Sequence, residues 1–273
     1  MYLCVDIGGT KTLLAAFTDE GELSKEVRFE TPKVYKDFLE QFKINFEQIA
    51  DIDFKAGVVA VPGRIDRYHG RALGYGNLKW GPASVEQDIE SISKCPITIE
   101  NDAKLAGLSE ALLIKNEFNR VLYVTISTGI SDAVIINGII DPAMADSEGG
   151  QIWLDYHGKK MQWEDIASGR SIVKKYGLRA SEIKDQKIWQ EIADDIAIGL
   201  INLIVIIQPQ VIVLGGGVGA HYDSFAEPLN KALQKYATPL TPIPPIKQAK
   251  KAEEAVIYGC YELIKQKYGQ STK

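Results

Sequence analysis

The stretch "CVDIGGTKTLLAAF", residues 4–17, decides the fold, because an aspartate, glycines, a threonine and a lysine interrupt a run of strand-forming apolar residues. The pattern predicts a strand, a Gly-Gly-Thr turn and a second strand. Glycine has no Cβ and tolerates positive φ, so backbone amides in such a turn can approach an anion closely. Asp6 would then lie at the turn, in position for a magnesium ion or its waters. An ordinary Gly-Gly hairpin turn is the alternative interpretation.

Two later turns repeat this pattern. "ISTGIS", residues 126–131, places Thr and Gly after an apolar strand, and "VIVLGGGVG", residues 211–219, ends another strand in glycines. Three such turns at three strand ends favour nucleotide binding over coincidence. The first turn is neither a Walker loop nor a Rossmann fingerprint, because no G-K-[ST] follows it and no helix begins there. The glycines at 215–219 lie too far from the first strand to start a dinucleotide site.

Strand-like and helix-like runs alternate along the chain, which predicts an α/β fold. The predicted strands are "YLCVDI", "TLLAAFT", "AGVVAVP", "ITIE", "VLYVTIST", "DAVIING" and "VIVLGGG". The predicted helices are 35–50, 85–93, 103–115, 188–208, 222–236 and 252–268, and Lys104 is expected on a solvated helix face. The proline-rich "LTPIPPIK", residues 240–247, reads as an irregular connector. "VLYVTISTGISDAVIING" predicts a second hairpin, so we expect two similar halves with a cleft between them.

Composition narrows the class of protein. The 273 residues are enough for two modest lobes or one large domain, and the 45% that are hydrophobic suffice for a real core. The net charge of -5 argues against a nucleic-acid or anionic membrane partner. Three cysteines, far apart and without a C-x-x-C pair, favour a reducing cytoplasm, and "MYLCVD" carries no signal-peptide pattern. The most apolar segment, residues 196–214, contains Pro209 and is interpreted as a buried helix followed by a buried strand.

A second polar motif follows another apolar run. "PITIENDAKLAGLSEA", residues 96–111, predicts a strand that ends in Glu-Asn-Asp and an amphipathic helix after it. Asp102 could simply cap that helix. The alternative is a carboxylate at a strand end, where α/β folds bind their ligands.

The sequence resembles the ROK family of sugar kinases and sugar-responsive repressors in a series of motifs that occur in family order. They are "DIGGTK", "VPGRID", "NLKW", "ENDAKLAGLSEA", "STGI", "EGGQI", "EDIASGRSI" and "VIVLGGG". The resemblance implies the actin-like ATPase (ribonuclease H-like) fold, with two lobes around a nucleotide and sugar cleft. It places an N-terminal lobe at 1–115 and a larger C-terminal lobe at 116–251. The C-terminal helix, 252–273, is expected to fold back onto the first lobe.

The family's functional positions carry over to matching residues of this chain. For ATP and its phosphates they are Asp6, Gly8, Gly9, Thr10, Lys11, Thr128, Gly129, Gly215, Gly216 and Gly217, with Asp6 serving magnesium through water. For the sugar they are Asn77, Asn101, Asp102, Glu148, Gln151 and Glu164. Asp102 matches the catalytic base.

The resemblance implies an ATP- and Mg²⁺-dependent kinase for a hexose hydroxyl, above all the 6-hydroxyl of glucose or a related hexose. Phosphoryl transfer needs in-line placement, charge neutralisation and a base near the attacking hydroxyl, which these residue types supply. A kinase for an N-acetylhexosamine or fructose, or a catalytically silent sensor, stays open. A repressor would need a helix-turn-helix before "DIGGTK", which begins at residue 6. Small molecules are the expected partners, and a homodimer is possible.

The chain departs from the family at its zinc knuckle. Gln151 replaces the family's histidine ligand, and "WLDYHGKKMQWE", residues 153–164, has no cysteine and a lone histidine, His157. Such a set cannot form a tetrahedral zinc site, so no zinc is expected. Trp153, Tyr156 and Trp163 either pack where the metal would have fixed the loop or are ordinary core or surface residues. Ser127 and Ser131 also stand where the family has glycine, and they could crowd a phosphate.

Overall fold

The computed structural model describes residues 1–76, 78–251 and 254–269. The chain forms two compact units, of which the first comprises Met1–Ser109 with Glu254–Lys273 and the second comprises Glu110–Glu253. Asn77 and the predicted start of the last helix at 252–253 lie outside the described residues.

The elements are numbered along the chain. The strands are β1 Tyr2–Ile7, β2 Lys11–Phe17, β3 Leu23–Glu30, β4 Ala56–Val61, β5 Arg64–Asp66, β6 Arg71–Gly74, β7 Ile97–Asn101, β8 Arg120–Ile126, β9 Ile130–Ile136, β10 Ile139–Ile140, β11 Trp153–Tyr156, β12 Lys159–Gln162, β13 Val211–Gly215 and β14 Ile246–Gln248. The α-helices are α1 Tyr35–Phe46, α2 Val85–Ser93, α3 Asp102–Leu112, α4 Trp163–Ala167, α5 Gly169–Tyr176, α6 Gln186–Ile207, α7 Gly216–Gly219, α8 Tyr222–Gln234 and α9 Ala255–Tyr268. Short 3₁₀ helices lie at Glu47–Ile49, Gly149–Gln151 and Ala180–Glu182.

The two units contain main sheets of the same topology. The first sheet has the order β3-β2-β1-β4-β7 and the second has the order β10-β9-β8-β13-β14. In each sheet the first hairpin is antiparallel, and the strands that follow it pair in parallel with the opening strand and then with one another. The predicted α/β fold is therefore confirmed, and both predicted hairpins are present.

Burial explains why the central strands read as uninterrupted apolar runs. Strands β4 and β13 are buried along their whole length, as expected for parallel strands that are covered on both faces. In the first unit, Phe38 of α1 and Ile89 of α2 join the core beneath the sheet. In the second unit, Ile196 of α6 and Phe225 of α8 do the same.

The last helix completes the first unit by packing on its sheet. Helix α9 contacts β1 and β4. A Cβ at Gly259 would lie 2.0 Å from the carbonyl oxygen of Leu105, so only glycine permits this close approach. Across the described part of the chain, every helix is too short or too polar to cross a membrane. The apolar segment 196–214 is the end of α6 followed by β13, as the sequence predicts.

Some expectations for individual residues are wrong. Lys104 is only 2% exposed, because α3 turns that side into the unit instead of toward solvent. Trp153 is 65% exposed and does not pack, whereas Trp163 is completely buried. The sequence interpretation also missed β3, α4, α5 and the short strands β5, β6, β10, β11 and β12. Strand β14 lies at the end of the proline-rich connector.

Candidate active site

The first glycine turn joins β1 and β2 and leaves its backbone accessible. The Gly8 amide donates to the Lys11 carbonyl at 2.9 Å, which closes the turn. A Cβ at Gly8 would lie 2.8 Å from that same carbonyl oxygen, so the position requires glycine. Thr10 and Lys11 are exposed, and the Gly9 carbonyl accepts a hydrogen bond from the Lys33 ammonium at 2.9 Å. The turn is thus fixed in shape and open to a ligand.

Asp6 and Asp102, both in the first unit, have raised pKa values. Burial raises the pKa of Asp6 to about 7; the nearby Asp102 carboxylate adds to the rise and Arg28 opposes it. Burial also raises the pKa of Asp102 to about 6, although the Ala103 amide and the Lys104 charge favour the ionised form. A carboxyl group whose charge is disfavoured both by burial and by a second carboxylate, as at Asp6, suits a place where a cation binds.

Asp102 begins α3, directly after β7. Its Oδ1 atom accepts the amide of Ala103 at 2.7 Å. The neighbouring Asn101 is 5% exposed; its Nδ2 donates to the Gly63 carbonyl at 2.8 Å, and its Oδ1 accepts the Lys104 amide at 3.1 Å. Both side chains are therefore held by backbone groups and cannot reorient freely.

An ion pair that the sequence analysis missed supports this strand end. Arg67 donates from Nε and Nη2 to the two oxygens of Glu100, at 2.9 and 2.6 Å. Glu100 Oε1 also accepts the Asn101 amide at 2.7 Å. The forked geometry of guanidinium and carboxylate fixes direction as well as distance. Because Arg67 and Glu100 are 33 residues apart, local patterning gives no sign of the pair.

The second turn, between β8 and β9, adjoins a large cavity in the second unit. The Ser127 amide donates to the Gly129 carbonyl at 2.8 Å, and the Gly169 amide donates to the Ser127 carbonyl at 2.7 Å. Ser127 and Thr128 are exposed. The cavity measures about 590 Å³ and is lined by Ser127, Thr128, Gly169, Arg170, Val173, Arg179, Ala180, Ser181, Gly217 and Val218. A space of this size is typical of small-molecule and cofactor sites.

The third group of glycines has two different roles. A Cβ at Gly215 would lie 2.3 Å from the Tyr123 hydroxyl, and Gly216 has a φ of +78° with Ile126 O 2.5 Å from the Cβ position. Gly215 therefore permits close packing against Tyr123, and Gly216 permits the turn itself. Gly217 is exposed, has open space beside it and lines the cavity. Of the three, Gly217 is thus the one placed to meet a ligand.

The remaining predicted sugar residues cluster in the second unit. Gln151 Nε2 donates to Glu164 Oε1 at 2.9 Å, and the Gln151 Oε1 atom accepts from Gln162 at 2.7 Å. The other Glu164 oxygen accepts the Ile130 amide at 3.4 Å and lies 2.7 Å from the place where a Gly129 Cβ would be. Glu164 is therefore packed against the second turn, and glycine at 129 makes room for it.

Glu148 lies in a loop that is held by a fully buried aspartate. Asp132, within β9, accepts the Gly149 amide at 2.6 Å and the Ser147 hydroxyl. This support was also missed, because an aspartate inside an apolar strand run gives no sign of its distant partner. Asn77, the remaining predicted sugar residue, lies outside the described residues.

Magnesium and zinc differ in how well the residues fit them. In the described part of the chain, no group of three or more His, Cys, Asp or Glu side chains could hold a metal ion. Magnesium at phosphoryl-transfer sites usually needs one or two carboxylates besides the substrate phosphates, so Asp6 fits it. Zinc needs four protein ligands in a structural site. Gln151 is engaged by two neighbouring side chains and His157 lies in a hairpin turn, so these residues do not fit zinc.

Paired sheets of one topology, each opening with a glycine turn, define the actin-like ATPase fold of hexokinase-type proteins. The comparisons agree, since the ROK family profile matches residues 2–267, and the chain belongs to the ROK family. The chain is 29% identical over 270 residues to an N-acetyl-D-glucosamine kinase from Pasteurella multocida, covering 84% of this chain and 87% of that protein. It is 25% identical to a fructokinase from Streptococcus mutans, covering 88% and 86%. A ROK family glucokinase from Streptomyces griseus, solved with glucose and AMPPNP, superposes with a TM-score of 0.80 at 21% identity, covering 97% and 99%.

Proposed function

We propose that the chain, an ATP-dependent sugar kinase of the ROK family, phosphorylates the 6-hydroxyl of glucose or a related hexose with Asp102 as general base. One observation carries the proposal: a carboxylate held at the end of β7 whose pKa burial raises to about 6. A base is most effective when its pKa lies near the working pH, because it is then both ionised and basic enough to accept a proton.

In the reaction, the sugar hydroxyl oxygen bonds to the γ-phosphorus while the bond from that phosphorus to the β–γ bridging oxygen breaks. The hydroxyl proton passes to Asp102, and ADP leaves. The backbone of the Gly8–Lys11 turn and the backbone at Thr128 and Gly129 bind phosphate oxygens. A loose transition state needs proton removal only late, so an aspartate suffices as base.

The nucleotide assignment rests on the cavity of the second unit. Its volume of about 590 Å³ suits an adenosine, and Thr128 and Gly217 lie on its lining. Arg170 and Arg179 place positive charge on the same lining, which favours a phosphorylated ligand. Ser127 lies on the lining too, so the expected crowding of a phosphate by this serine stays a prediction.

Magnesium is assigned to Asp6, which would hold it directly or through water. The ion would neutralise charge on the transferring phosphates. Asp6 itself contributes a half-buried carboxylate, whose pKa is raised to about 7 by burial and by the Asp102 carboxylate.

The sugar assignment follows the positions that the family resemblance implies. Asn101, Asp102, Glu148, Gln151 and Glu164 are proposed to bind sugar hydroxyls. Asn101 is buried and Asp102 and Glu164 are half-buried, so these polar groups select hydroxyl-rich ligands, because leaving them unpaired would be costly. N-acetylglucosamine and fructose are alternative acceptors, since relatives of similar identity are named for them. The proposal includes a reducing cytoplasm, which the three free, buried cysteines support; a homodimer stays a prediction.

The test is ADP release from ATP and Mg²⁺ with glucose, mannose, fructose, N-acetylglucosamine, N-acetylmannosamine and allose as separate acceptors. We expect sugar-dependent release, lost in Asp102→Asn, with ADP binding retained. Asp37→Asn, at an exposed position of α1, is the matched control and should behave as wild type. Bound nucleotide with no release for any sugar would favour the silent sensor.

A further inference from the structure

The segment that stands in place of the family's zinc knuckle is a small, exposed hairpin. Strands β11 and β12 pair from Trp153–Gln162 to Tyr156–Lys159. His157 and Gly158 form its turn, with φ of 50° and 75°, the left-handed values of a tight hairpin turn. An isolated two-stranded hairpin is marginal in water at best. Something outside the hairpin must therefore hold it in place.

Helix α6 supplies that support through Asp195. The Tyr156 hydroxyl donates to Asp195 Oδ1 at 2.7 Å, and the Trp163 indole donates to the Asp195 carbonyl oxygen at 3.2 Å. One residue of α6 therefore contacts both the hairpin tip and the residue that follows the hairpin. Burial, followed by the bond to Asp195, raises the pKa of Tyr156 to about 12, so its hydroxyl stays a donor.

Helix α5 completes the arrangement. Lys175 Nζ lies 3.2 Å from Asp195 Oδ2 and 3.3 Å from a Glu191 oxygen. The Asp195 side chain is only 11% exposed, and Lys175 compensates its charge. We call Tyr156, Lys175 and Asp195 the hairpin anchor. Lys175 and Tyr156 are 20 and 39 residues from Asp195 along the chain, so the hairpin anchor joins α5, β11 and α6.

The anchor is connected to the proposed sugar residues at both ends of the hairpin. The Trp163 amide donates to the Ile152 carbonyl at 2.9 Å, which closes the base of the hairpin between Gln151 and Glu164. Gln162, the last residue of β12, donates to Gln151 at 2.7 Å, and Gln151 donates to Glu164 at 2.9 Å. A displaced hairpin would move all of these groups together.

We propose that Tyr156, Lys175 and Asp195 are positioning residues, which hold the hairpin by side-chain hydrogen bonds and an ion pair where a zinc site does not fit, and thereby orient Gln151 and Glu164 toward the acceptor sugar. This inference rests on the proposed function, because it assigns the anchor to sugar binding. It also predicts that the enzyme works without any structural metal.

The experiment compares Tyr156→Phe and Asp195→Asn with Tyr236→Phe, a matched control at an exposed tyrosine of the same unit. KM values for the best acceptor and for ATP, together with amide hydrogen exchange of residues 153–162, are measured in the full chain. Losing one such hydrogen bond should raise the acceptor KM roughly tenfold and speed hairpin exchange by a similar factor. The ATP KM should change less than about twofold, as should every value for the control.

The two readouts separate the possible failures. Unchanged exchange in both variants would overturn the anchor, and faster exchange with an unchanged acceptor KM would overturn its positioning role. One equivalent of zinc in the purified protein, with activity lost on chelation, would also overturn the inference. A wild-type enzyme that turned over no sugar would defeat the proposed function instead, while exchange would still decide whether the anchor holds the hairpin.

Discussion

Two regions to which we assign sugar contacts are built in contrasting ways. The strand end at Asn101 and Asp102 is fixed by main-sheet backbone, by the Gly63 carbonyl and by the buried Glu100 carboxylate. The segment between Gln151 and Glu164 is a hairpin outside the main sheets, held by side chains. The contrast teaches that a motif is readable in sequence where backbone elements fix it. Where long-range side-chain pairs hold a segment in place, the local sequence gives no indication of the partners.

Among the changes that test how these two regions are held, the largest expected effect comes from the charged end of the hairpin segment. Glu164→Ala removes a proposed sugar ligand and the acceptor for Gln151, so we expect acceptor kcat/KM to fall roughly 100-fold. Asp165→Asn, at the next and more exposed carboxylate, is the control and should change kcat/KM less than about twofold. Steady-state kinetics with saturating ATP measures both. Equal losses in the two variants would mean that Glu164 has no special role.

A smaller effect is expected where α6 supports Trp163. A Cβ at Gly199 would lie 2.1 Å from the Trp163 ring, so Gly199→Ala should displace the indole and lower the free energy of unfolding by about 2–3 kcal/mol. Urea unfolding measures the change. Gly81→Ala, where nothing lies within 4 Å of the Cβ position, is the control and should be nearly neutral. A neutral Gly199→Ala would show that the Trp163 packing is loose.

The corresponding change in the strand-end region is Arg67→Met. It leaves the Glu100 carboxylate, 6% exposed, without its forked partner, and we expect about 2 kcal/mol of destabilisation. Because Glu100 also accepts the Asn101 amide, the acceptor KM should rise as well. Urea unfolding and acceptor kinetics provide the two measurements. If Arg67→Met matched the exposed control Arg71→Met in both, the ion pair would not support this region.

The smallest effect tests the side chain for which the packing hypothesis was wrong. Trp153 is 65% exposed, so Trp153→Ser should change the free energy of unfolding by less than about 0.5 kcal/mol and leave the acceptor KM unchanged. A large loss of stability would mean that Trp153 packs in solution after all.

The sequence predicted the parts of the fold that depend on local patterning. Both glycine hairpins, the bounds of α2 and the buried β13 follow from apolar runs and glycine turns. Strand β3 was missed because most of its residues are exposed and do not alternate cleanly. Helices α4 and α5 were missed because they are short and break at Ser168, which caps α5 through the Ser171 amide.

The supporting residues of the candidate site could not be predicted from patterning. Asp132, Arg67 and Asp195 each act through a partner 15 or more residues away, and only Asp132 lies in a quoted run, where nothing marks its partner. Lys104 was expected in solvent because a lysine after a helix start usually lies there. Its burial depends on how α3 packs, which is a property of the folded unit.

The most direct test of the central claim is the pH dependence of sugar-dependent ADP release by the wild type and Asp102→Asn, measured between pH 5 and 9. The base must be ionised to accept a proton, so wild-type kcat/KM should rise as pH increases through about 6, the raised pKa of Asp102. Asp102→Asn should show a residual rate about 100- to 10,000-fold lower and without this rise. Wild-type turnover in the variant, with the same pH profile, would contradict the account.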